Sequence, residues 1–259
     1  MHQNIVSNKK LWNTWNARKY LSEYFKKIGT DVQATTQFVT RELLRFKGKP
    51  ISKMLEFGSG PTIIGVIGAT PYVKEIHIAD YLNTNLKEIR LWLRNSSKKP
   101  DFKNIIQYTL KLQGYTPTES QISRRESELR KKITKVFHCD ADCKNPIAGK
   151  RMLYSLVISL YCADSATSSK RVWRKYMKNI LSLVAPDGTI IMTALCKSKF
   201  YTVGDNIFPS ANIGEKDLRK SFIQNGFLPK NMRIKVVKIP QEKSKGFASL
   251  LFACAKRKV

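Results

Sequence analysis

The feature that most constrains the fold is a glycine turn that follows an apolar run. Residues 53–57 read Lys-Met-Leu-Glu-Phe and lead directly into Gly58-Ser59-Gly60 and a second apolar stretch. Glycines at a strand-to-helix turn let the backbone approach a ligand that a Cβ would exclude. Asp80 ends the next apolar run, at the spacing from Gly60 at which an acidic side chain binds a ribose diol. This unit predicts an α/β fold that binds a nucleoside.

Other ligand-binding patterns are incomplete or absent. The third glycine of the dinucleotide fingerprint is missing, because Ile63 occupies its place, and this favours a nucleoside cofactor without a pyrophosphate. No Gly-x-x-x-x-Gly-Lys-Ser/Thr string occurs, which excludes a P-loop nucleotidase at the level of motifs. His138, Cys139 and Cys143 lack the supporting ligands that a zinc site needs, and the chain has only 3 histidines. We therefore predict no bound metal.

Short apolar runs alternate with longer amphipathic ones from residue 50 onward. The runs that read as buried strands are 53–57, 74–80, 136–140, 154–160 and 189–195. Residues 83–94 and 168–184 repeat apolar side chains at helical spacing, and Pro186-Asp187-Gly188 supplies a turn before the last strand. Alternating strands and helices are typical of a parallel sheet covered on both faces. We predict an α/β fold with a doubly wound, mostly parallel sheet.

Three segments depart from this alternation. Residues 233–239 and 247–255 are strand-like and are joined by a short polar loop, which predicts a C-terminal antiparallel hairpin. Residues 1–49 are amphipathic and predict helices that precede the sheet. Residues 96–135 are long and basic, and they predict an insertion with helical parts and one strand-like piece at residues 104–108.

The charge balance raises the question of an anionic partner. The chain has 259 residues, of which 47 are Lys or Arg and 19 are Asp or Glu, so its formal net charge is +28. Such a charge fits a nucleic-acid partner, an anionic substrate or membrane surface, or a lysine-rich background without a function. The basic residues are spread over separate segments, which favours a general surface character.

The sequence also bears on cellular location. No apolar core follows the N-terminal residues, so a secretory signal is not expected. The longest strongly apolar stretch, residues 152–163, is far shorter than the roughly 20 residues that a membrane helix needs. The 5 cysteines form no regular framework, which favours reduced thiols. We predict a cytoplasmic monomer without a membrane span.

Two strings around the glycine turn are more diagnostic than the glycines alone. They are Glu56-Phe-Gly-Ser-Gly-Pro-Thr62 and Asp80-Tyr81-x-x-x-Asn85. Both resemble the S-adenosylmethionine-dependent methyltransferases of the nicotinamide, phenylethanolamine and indolethylamine N-methyltransferase family. Residues 15–24 resemble the N-terminal segment of that family, and the similarity extends over nearly the whole chain.

The resemblance implies a Rossmann-like class I methyltransferase fold in a single domain, residues 1–259. Within that domain, residues 1–49 would form lid helices over the cofactor. Residues 50–95 and 136–259 would form the cofactor-binding core, and residues 96–135 an insertion cap.

The resemblance also implies where S-adenosyl-L-methionine would bind. The glycine turn would line its methionine and ribose side, Asp80 would accept both ribose hydroxyls, and residues after the third strand would meet the adenine. The tyrosines of the N-terminal segment would fold over the bound cofactor. The cofactor-binding residues implied in this way are Tyr20, Tyr24, Gly58, Ser59, Gly60, Thr62, Asp80, Tyr81, Asn85, Asp140, Ala141 and Leu160.

Four positions are implied for the acceptor pocket. Asp164 matches the family position that carries a carboxylate, although it also fits an ordinary carboxylate at a helix N-terminus. Tyr201 and Ser210 match positions that contact the acceptor, and Thr193 stands where nicotinamide-type members have an aspartate, which argues against nicotinamide itself. Methyl transfer to nitrogen depends mainly on positioning and on exclusion of water. The expected catalytic residues are therefore orienting groups, Tyr20, Asp164 and Tyr201, and Asp164 would also stabilise a cationic amine.

The function expected from the resemblance is methyl transfer to a nitrogen of a small amine or aza-heterocycle. Two alternatives stay open: an RNA methyltransferase that uses the basic residues of segment 96–135, and an S-adenosylmethionine-binding protein without catalysis. Aromatic side chains that stack on bases are sparse in that segment. The fourth strand is followed by Leu160-Tyr161-Cys162 rather than by the Asn/Asp-Pro-Pro-Tyr string of enzymes that methylate exocyclic base amines. A small-molecule acceptor is therefore preferred to a nucleic-acid partner.

Overall fold

The central sheet is built from the apolar runs of the sequence. The computed structural model describes residues 12–147, 149 and 152–258. Its strands are Ile51–Phe57 (β1), Val73–Asp80 (β2), Ile133–His138 (β3), Tyr154–Leu160 (β4), Val184–Leu195 (β5), Phe200–Val203 (β6), Asn206–Pro209 (β7), Phe227–Lys238 (β8) and Ser249–Arg257 (β9). One sheet of seven strands has the order β3-β2-β1-β4-β5-β9-β8, and β6 and β7 form a separate hairpin.

The first five strands of this order are parallel to one another. β9 runs antiparallel to both of its neighbours, β5 and β8. The strand order reverses between β1 and β4, and in sheets of this kind ligands bind in the crevice at the carboxyl ends of the strands beside that point. The predicted α/β fold class, the mostly parallel sheet and the C-terminal antiparallel hairpin are confirmed.

Helices cover both faces of the sheet. The α-helices are Ala17–Tyr24 (α1), Thr30–Leu44 (α2), Ile64–Ile67 (α3), Asn83–Leu93 (α4), Lys103–Leu112 (α5), Glu119–Lys132 (α6), Lys170–Leu181 (α7) and Glu215–Gln224 (α8). Successive side chains of a strand point to opposite faces. Leu55 of β1 accordingly shares a buried cluster with Trp173 of α7, whereas Met54 shares another with Ile106 of α5.

The strand-like piece predicted at residues 104–108 is wrong, because that segment lies within helix α5. Ile105, Ile106 and Leu110 are buried, and this spacing places them on one helical face that packs against α2 and α6. A short apolar run does not by itself distinguish a helix from a strand. The predicted helical parts of the insertion are present as α5 and α6.

Several predicted boundaries shift by a few residues. β3 spans Ile133–His138 rather than residues 136–140, so its first residues come from the predicted insertion and Asp140 lies beyond its end. The predicted turn at Asp187 persists as an irregularity inside β5, where that residue has a φ of 60°. The hairpin β6–β7 was not anticipated, because strands of 4 residues are too short to show alternation.

The predicted N-terminal helices are present as α1 and α2, which precede the sheet. The first eleven residues of that predicted segment lie outside the described residues. Helix α1 begins after Asn16, whose side chain accepts a hydrogen bond from the Lys19 N–H in the usual manner of an N-cap. It packs against α4 and β6, at the carboxyl edge of the sheet. Within the described part of the chain, no helix is long and apolar enough to cross a membrane.

Candidate active site

The glycine turn after β1 has the backbone conformation that favours glycine. Gly58 has a φ of 72° and Gly60 a φ of 62°. A Cβ on Gly58 would lie 2.2 Å from Cys162 Sγ, whereas a Cβ on Gly60 would meet nothing within 4 Å. Gly58 is therefore required by packing. Gly60 faces open space, where a ligand is able to approach the backbone closely.

Asp80, at the end of β2, is oriented by three hydrogen bonds. Its Oδ2 accepts the N–H of Gly60 at 2.7 Å, and its Oδ1 accepts the N–H of Leu82 at 2.8 Å and Asn85 Nδ2 at 2.9 Å. Burial raises the pKa of Asp80, while the bonds from Leu82, Asn85 and Gly60 lower it. A carboxylate with one protein donor on Oδ2 keeps acceptor capacity for a ligand hydroxyl.

A hydrogen-bond chain connects Asp80 to the segment before α1. Trp15 Nε1 donates to Asn85 Oδ1 at 2.8 Å, and Asn85 Nδ2 donates to Asp80. The orientation of the amide follows from this chain, because only its nitrogen is able to donate to the carboxylate. α1 is also held by an ion pair between Arg18 and Glu88 of α4, with an N–O distance of 2.6 Å. The segment before α1 is thus connected through Asn85 to the predicted ribose-binding carboxylate.

A cavity of about 200 Å³ opens beside the glycine turn. All twelve residues that the resemblance implies for the cofactor line this cavity, and Tyr201 does too. Of the described side chains that line it, the acidic ones are Asp31, Asp80 and Asp140, and none is Lys or Arg. The excess positive charge of the chain therefore lies outside this cavity, and its walls suit a cationic ligand.

Aromatic rings form another part of the cavity wall. Tyr20 and Tyr24 are stacked with ring centroids 4.9 Å apart, and Trp15 lies 5.1 Å from Tyr20. Tyr201 is stacked on Phe208 of β7 at 5.4 Å. Burial raises the pKa of the Tyr20, Tyr24 and Tyr201 hydroxyls, so these groups stay neutral at physiological pH. The wall is apolar, with hydroxyl groups that are able to donate or accept hydrogen bonds.

Helix α1 and the β6–β7 hairpin hold each other over the cavity. Tyr24 Oη donates to the Thr202 carbonyl at 2.8 Å, and the Gly204 N–H donates to Glu23 Oε2 at 2.7 Å. Lys19 pairs with Asp205 at 2.9 Å. The aromatic wall is therefore formed by two segments about 180 residues apart in the chain.

Three of the predicted acceptor residues lie behind the cavity wall. Asp164, Thr193 and Ser210 are 1, 1 and 2% exposed and are not among the lining residues. Asp164 Oδ2 accepts the N–H of Leu195 at 2.9 Å, and burial raises the pKa of Asp164 to about 6. Ser165, the next residue, lines the cavity, and its carbonyl accepts a hydrogen bond from Tyr201 Oη at 3.4 Å. Asp164 thus supports the wall from behind.

Several residues that line the cavity were not singled out from the sequence. They are Trp12, Trp15, Phe25, Asp31, Val32, Thr35, Phe57, Ile64, Leu82, Cys139, Tyr161, Cys162, Ser165, Ala166, Tyr176, Leu195 and Phe247. Most are apolar and read as core residues in the sequence. Asp31, in the first turn of α2, has the ordinary signature of an acidic residue at a helix N-terminus.

These residues fit S-adenosylmethionine. Gly60 presents backbone without a Cβ toward open space, and the buried Asp80 carboxylate keeps acceptor capacity beside it. The aromatic and acidic walls suit a cationic sulfur centre, because both attract positive charge. Asp80 and Asn85 would hold the ribose, and Tyr20 with Tyr24 would cover the bound molecule.

Known proteins are similar to this chain in sequence or in fold. Human nicotinamide N-methyltransferase is 26% identical over 235 residues, which cover 88% of this chain and 87% of that protein. Mouse indolethylamine N-methyltransferase is 26% identical over 173 residues, covering 66% of this chain and 64% of that protein. The magnesium protoporphyrin IX methyltransferase of Synechocystis, solved with bound S-adenosylmethionine, shares the fold with a TM-score of 0.59 at 12% identity, covering 98% of this chain and 99% of that chain.

The fold and the site define a class. A Rossmann-like sheet with a glycine turn after β1 and a hydrogen-bonded carboxylate after β2 is the scaffold of an S-adenosylmethionine-dependent methyltransferase. Within that class, the chain belongs to the NNMT/PNMT/TEMT family, whose family model matches residues 3–258. The predicted family, enzyme class and cofactor are confirmed.

Proposed function

We propose that the protein transfers a methyl group from S-adenosylmethionine to a nitrogen atom of a small amine or aza-heterocycle. The observation that carries this proposal is the composition of the cavity. Its described walls combine aromatic rings with the carboxylates of Asp31, Asp80 and Asp140 and contain no Lys or Arg side chain. Such walls favour a cationic sulfur and the positive charge that develops on an attacked nitrogen. The relatives named as nicotinamide and indolethylamine N-methyltransferases also support nitrogen as the accepting atom.

The residues of the chain act mainly by holding and enclosing the reactants. S-adenosylmethionine, when bound, supplies an electrophilic methyl group on a cationic sulfur. Asp80, with Asn85 behind it, positions the ribose. The stacked rings of Tyr20 and Tyr24 close one side of the cavity and exclude water from it. In a displacement reaction, alignment and water exclusion supply much of the rate enhancement, so no strong general base is required on the wall.

The predicted catalytic residues take different parts in this proposal. Tyr20 and Tyr201 line the cavity and orient the acceptor. Asp164 acts as a positioning residue, because its carboxylate holds the backbone of Leu195 at the cavity wall. Thr193 and Ser210 are buried and contribute to the shape of the pocket from behind its lining.

An RNA substrate is the second possibility raised by the sequence. The net charge of +28 supports it, but the cavity favours a small molecule, because the carboxylates on its wall would repel a phosphate backbone.

We also propose a cytoplasmic monomer. The five cysteines are all free, which is typical of a reducing compartment.

The proposal is tested by incubating the protein with S-adenosylmethionine labelled on its methyl group. Nicotinamide, an arylethylamine and a short RNA would be offered separately, and methylated products identified by mass spectrometry. We expect label in at least one small nitrogen compound and none in RNA. Asp80→Ala serves as the cofactor-binding control, and Asp187→Asn, at an exposed turn, as the matched control. Transfer to RNA alone would contradict the proposal.

A further inference from the structure

One carboxylate on the cavity wall is not among the residues assigned to the ribose of the cofactor. Asp31 lies in the first turn of α2, lines the cavity and is 7% exposed. Its Oδ1 is buried beside Gly29 and has no hydrogen-bond partner. A buried carboxylate oxygen without a donor is costly for the folded state. A positive charge in the cavity would lower that cost through its electrostatic attraction to the carboxylate.

Asp31 belongs to the tyrosine-rich end of the cavity. After burial, Asp31 and then Asp80 are the largest causes of the raised pKa of Tyr20, so the Tyr20 hydroxyl lies within the field of both carboxylates. Asp80 is bound to the glycine turn, and Tyr20 is stacked on Tyr24. Besides Asp80, which is proposed to orient the ribose, the cavity therefore carries an acidic group beside these rings.

The nearest cation is already paired with another acid. Burial raises the pKa of Asp31, and Lys245 lies close enough to offset part of this rise. The Lys245 Nζ, however, pairs with Glu242 Oε2 at 2.8 Å and sits 4.3 Å from the centre of the Tyr24 ring. Among the described residues, no ion pair of 4 Å or less includes Asp31. With Glu242 counted, two carboxylates and one ammonium group share this region, which leaves an excess negative charge.

The hydroxyl groups beside Asp31 are committed to other partners. Thr35 Oγ1 donates to the Asp31 carbonyl at 2.7 Å and lies 2.5 Å from Tyr161 Oη. Because the Thr35 proton points to that carbonyl, the Tyr161 proton points to Thr35. The Tyr161 oxygen also interacts with the Thr193 hydroxyl, so the Asp31 carboxylate is the acidic group left at this end of the cavity. This end of the cavity therefore offers a negative charge to a ligand.

We propose that Asp31 binds the protonated amino group of an amine acceptor and accepts one proton from it, and that it thereby selects amines over neutral compounds of the same shape. The nitrogen lone pair freed in this way would attack the methyl group, while the proton passes from the Asp31 carboxylate to solvent. The inference rests on the proposed function and narrows its substrate class. The rings of Tyr20 and Tyr24 would add cation–π attraction to the charge of the carboxylate. Asp31 is thus a specificity residue on the cavity wall.

The experiment compares two probes of nearly equal shape, benzylamine and benzyl alcohol. Their affinities are measured by calorimetry at neutral pH, with the protein saturated with S-adenosylhomocysteine. We expect the wild-type protein to bind benzylamine about 10- to 100-fold more tightly, the range of one charge-assisted hydrogen bond. Asp31→Asn should remove most of this preference and leave the affinity for benzyl alcohol within about threefold. Asp31→Ser gives a second variant, and the exposed Asp187→Asn is the matched control, which should keep the preference.

Four results would overturn the inference. The first is equal affinity of the wild-type protein for both probes, or no binding of benzylamine. The second is a preference that persists in both Asp31 variants. The third is a large loss of S-adenosylhomocysteine affinity in Asp31→Asn, which would assign this carboxylate to the amino group of the cofactor. Methyl transfer to neutral heterocycles alone, unchanged in Asp31→Asn, would refute this inference but preserve the proposed function. Absence of any transfer to small molecules would refute the function instead.

Discussion

Replacing Asp80 by alanine should separate cofactor binding from folding. The substitution removes the acceptor of three donors, namely the N–H groups of Gly60 and Leu82 and the side-chain amide of Asn85. Each buried donor left without a partner costs about 1–3 kcal/mol, although cavity water is able to satisfy part of this demand. We expect the free energy of unfolding to fall by about 1–3 kcal/mol.

The effect on cofactor affinity should be larger than the effect on stability. One charge-assisted hydrogen bond from a ribose hydroxyl is worth about 1.5–3 kcal/mol, which corresponds to roughly 10- to 150-fold in Kd. Loss of the bond between Asp80 and Gly60 also releases the glycine turn that faces the ligand. We therefore expect S-adenosylhomocysteine to bind at least 100-fold more weakly, or not detectably, a change of about 2.7 kcal/mol or more.

Isothermal titration calorimetry with S-adenosylhomocysteine measures this change, and thermal unfolding followed by circular dichroism verifies the fold. Asp187→Asn is the control, because Asp187 is 60% exposed on its side chain and asparagine tolerates its left-handed φ of 60°. The assignment of Asp80 would be refuted by a folded Asp80→Ala protein with wild-type affinity. If Asp80→Ala does not fold, Asp80→Asn is tested instead. It keeps the shape of the side chain, and the same loss of S-adenosylhomocysteine affinity is expected.

Three further substitutions test neighbouring parts of the site. Trp15→Phe removes the donor to Asn85. Calorimetry should show S-adenosylhomocysteine binding weakened about 2- to 10-fold, the range of one neutral hydrogen bond. Unchanged affinity would show that this bond does not support the site. Gly60→Ala places a methyl group toward the ligand and should weaken binding more than 10-fold, whereas Gly48→Ala, with a similar positive φ and open space, should cost stability alone. Burial raises the pKa of Glu56 to about 8. The wild-type protein therefore loses stability as the pH rises from the ordinary carboxyl range through about 8. The melting temperature of Glu56→Gln should exceed that of the wild type by a margin that grows between about pH 6 and 9. Parallel pH profiles of the two melting temperatures would contradict this.

Local sequence pattern predicts best the helices and strands whose apolar residues repeat with a clear period and whose ends are marked in the sequence. β4 spans Tyr154–Leu160, the same residues that the apolar run indicates. Its neighbours in the sheet follow from the same rule, because a buried parallel strand reads as a continuous apolar stretch. The segment 104–108 shows the limit of this rule. It has a strand-like composition but forms part of α5, whose buried residues Ile105, Ile106 and Leu110 pack against α2 and α6.

The two carboxylates Asp164 and Asp31 show a second limit. A match to a family motif placed Asp164 in the acceptor pocket, yet its carboxylate accepts the N–H of Leu195, which lies 31 residues later in the chain. Asp31 reads as a routine residue at the start of a helix, yet it lines the cavity with an unpartnered oxygen. Only long-range contacts determine whether a carboxylate faces a backbone donor or a ligand.

By itself, the sequence determined the fold class, the cofactor end of the site and the family. These follow from residues close together in the chain: the glycines and Asp80 are brought together by one β-α-β unit, whose geometry is set locally. The tertiary structure alone decided the acceptor end. That wall joins α1, the start of α2 and the β6–β7 hairpin through contacts such as Tyr24 to Thr202, almost 180 residues apart. Packing between distant segments leaves no short-range pattern. That Asp31 lines the cavity is therefore known only from the folded structure.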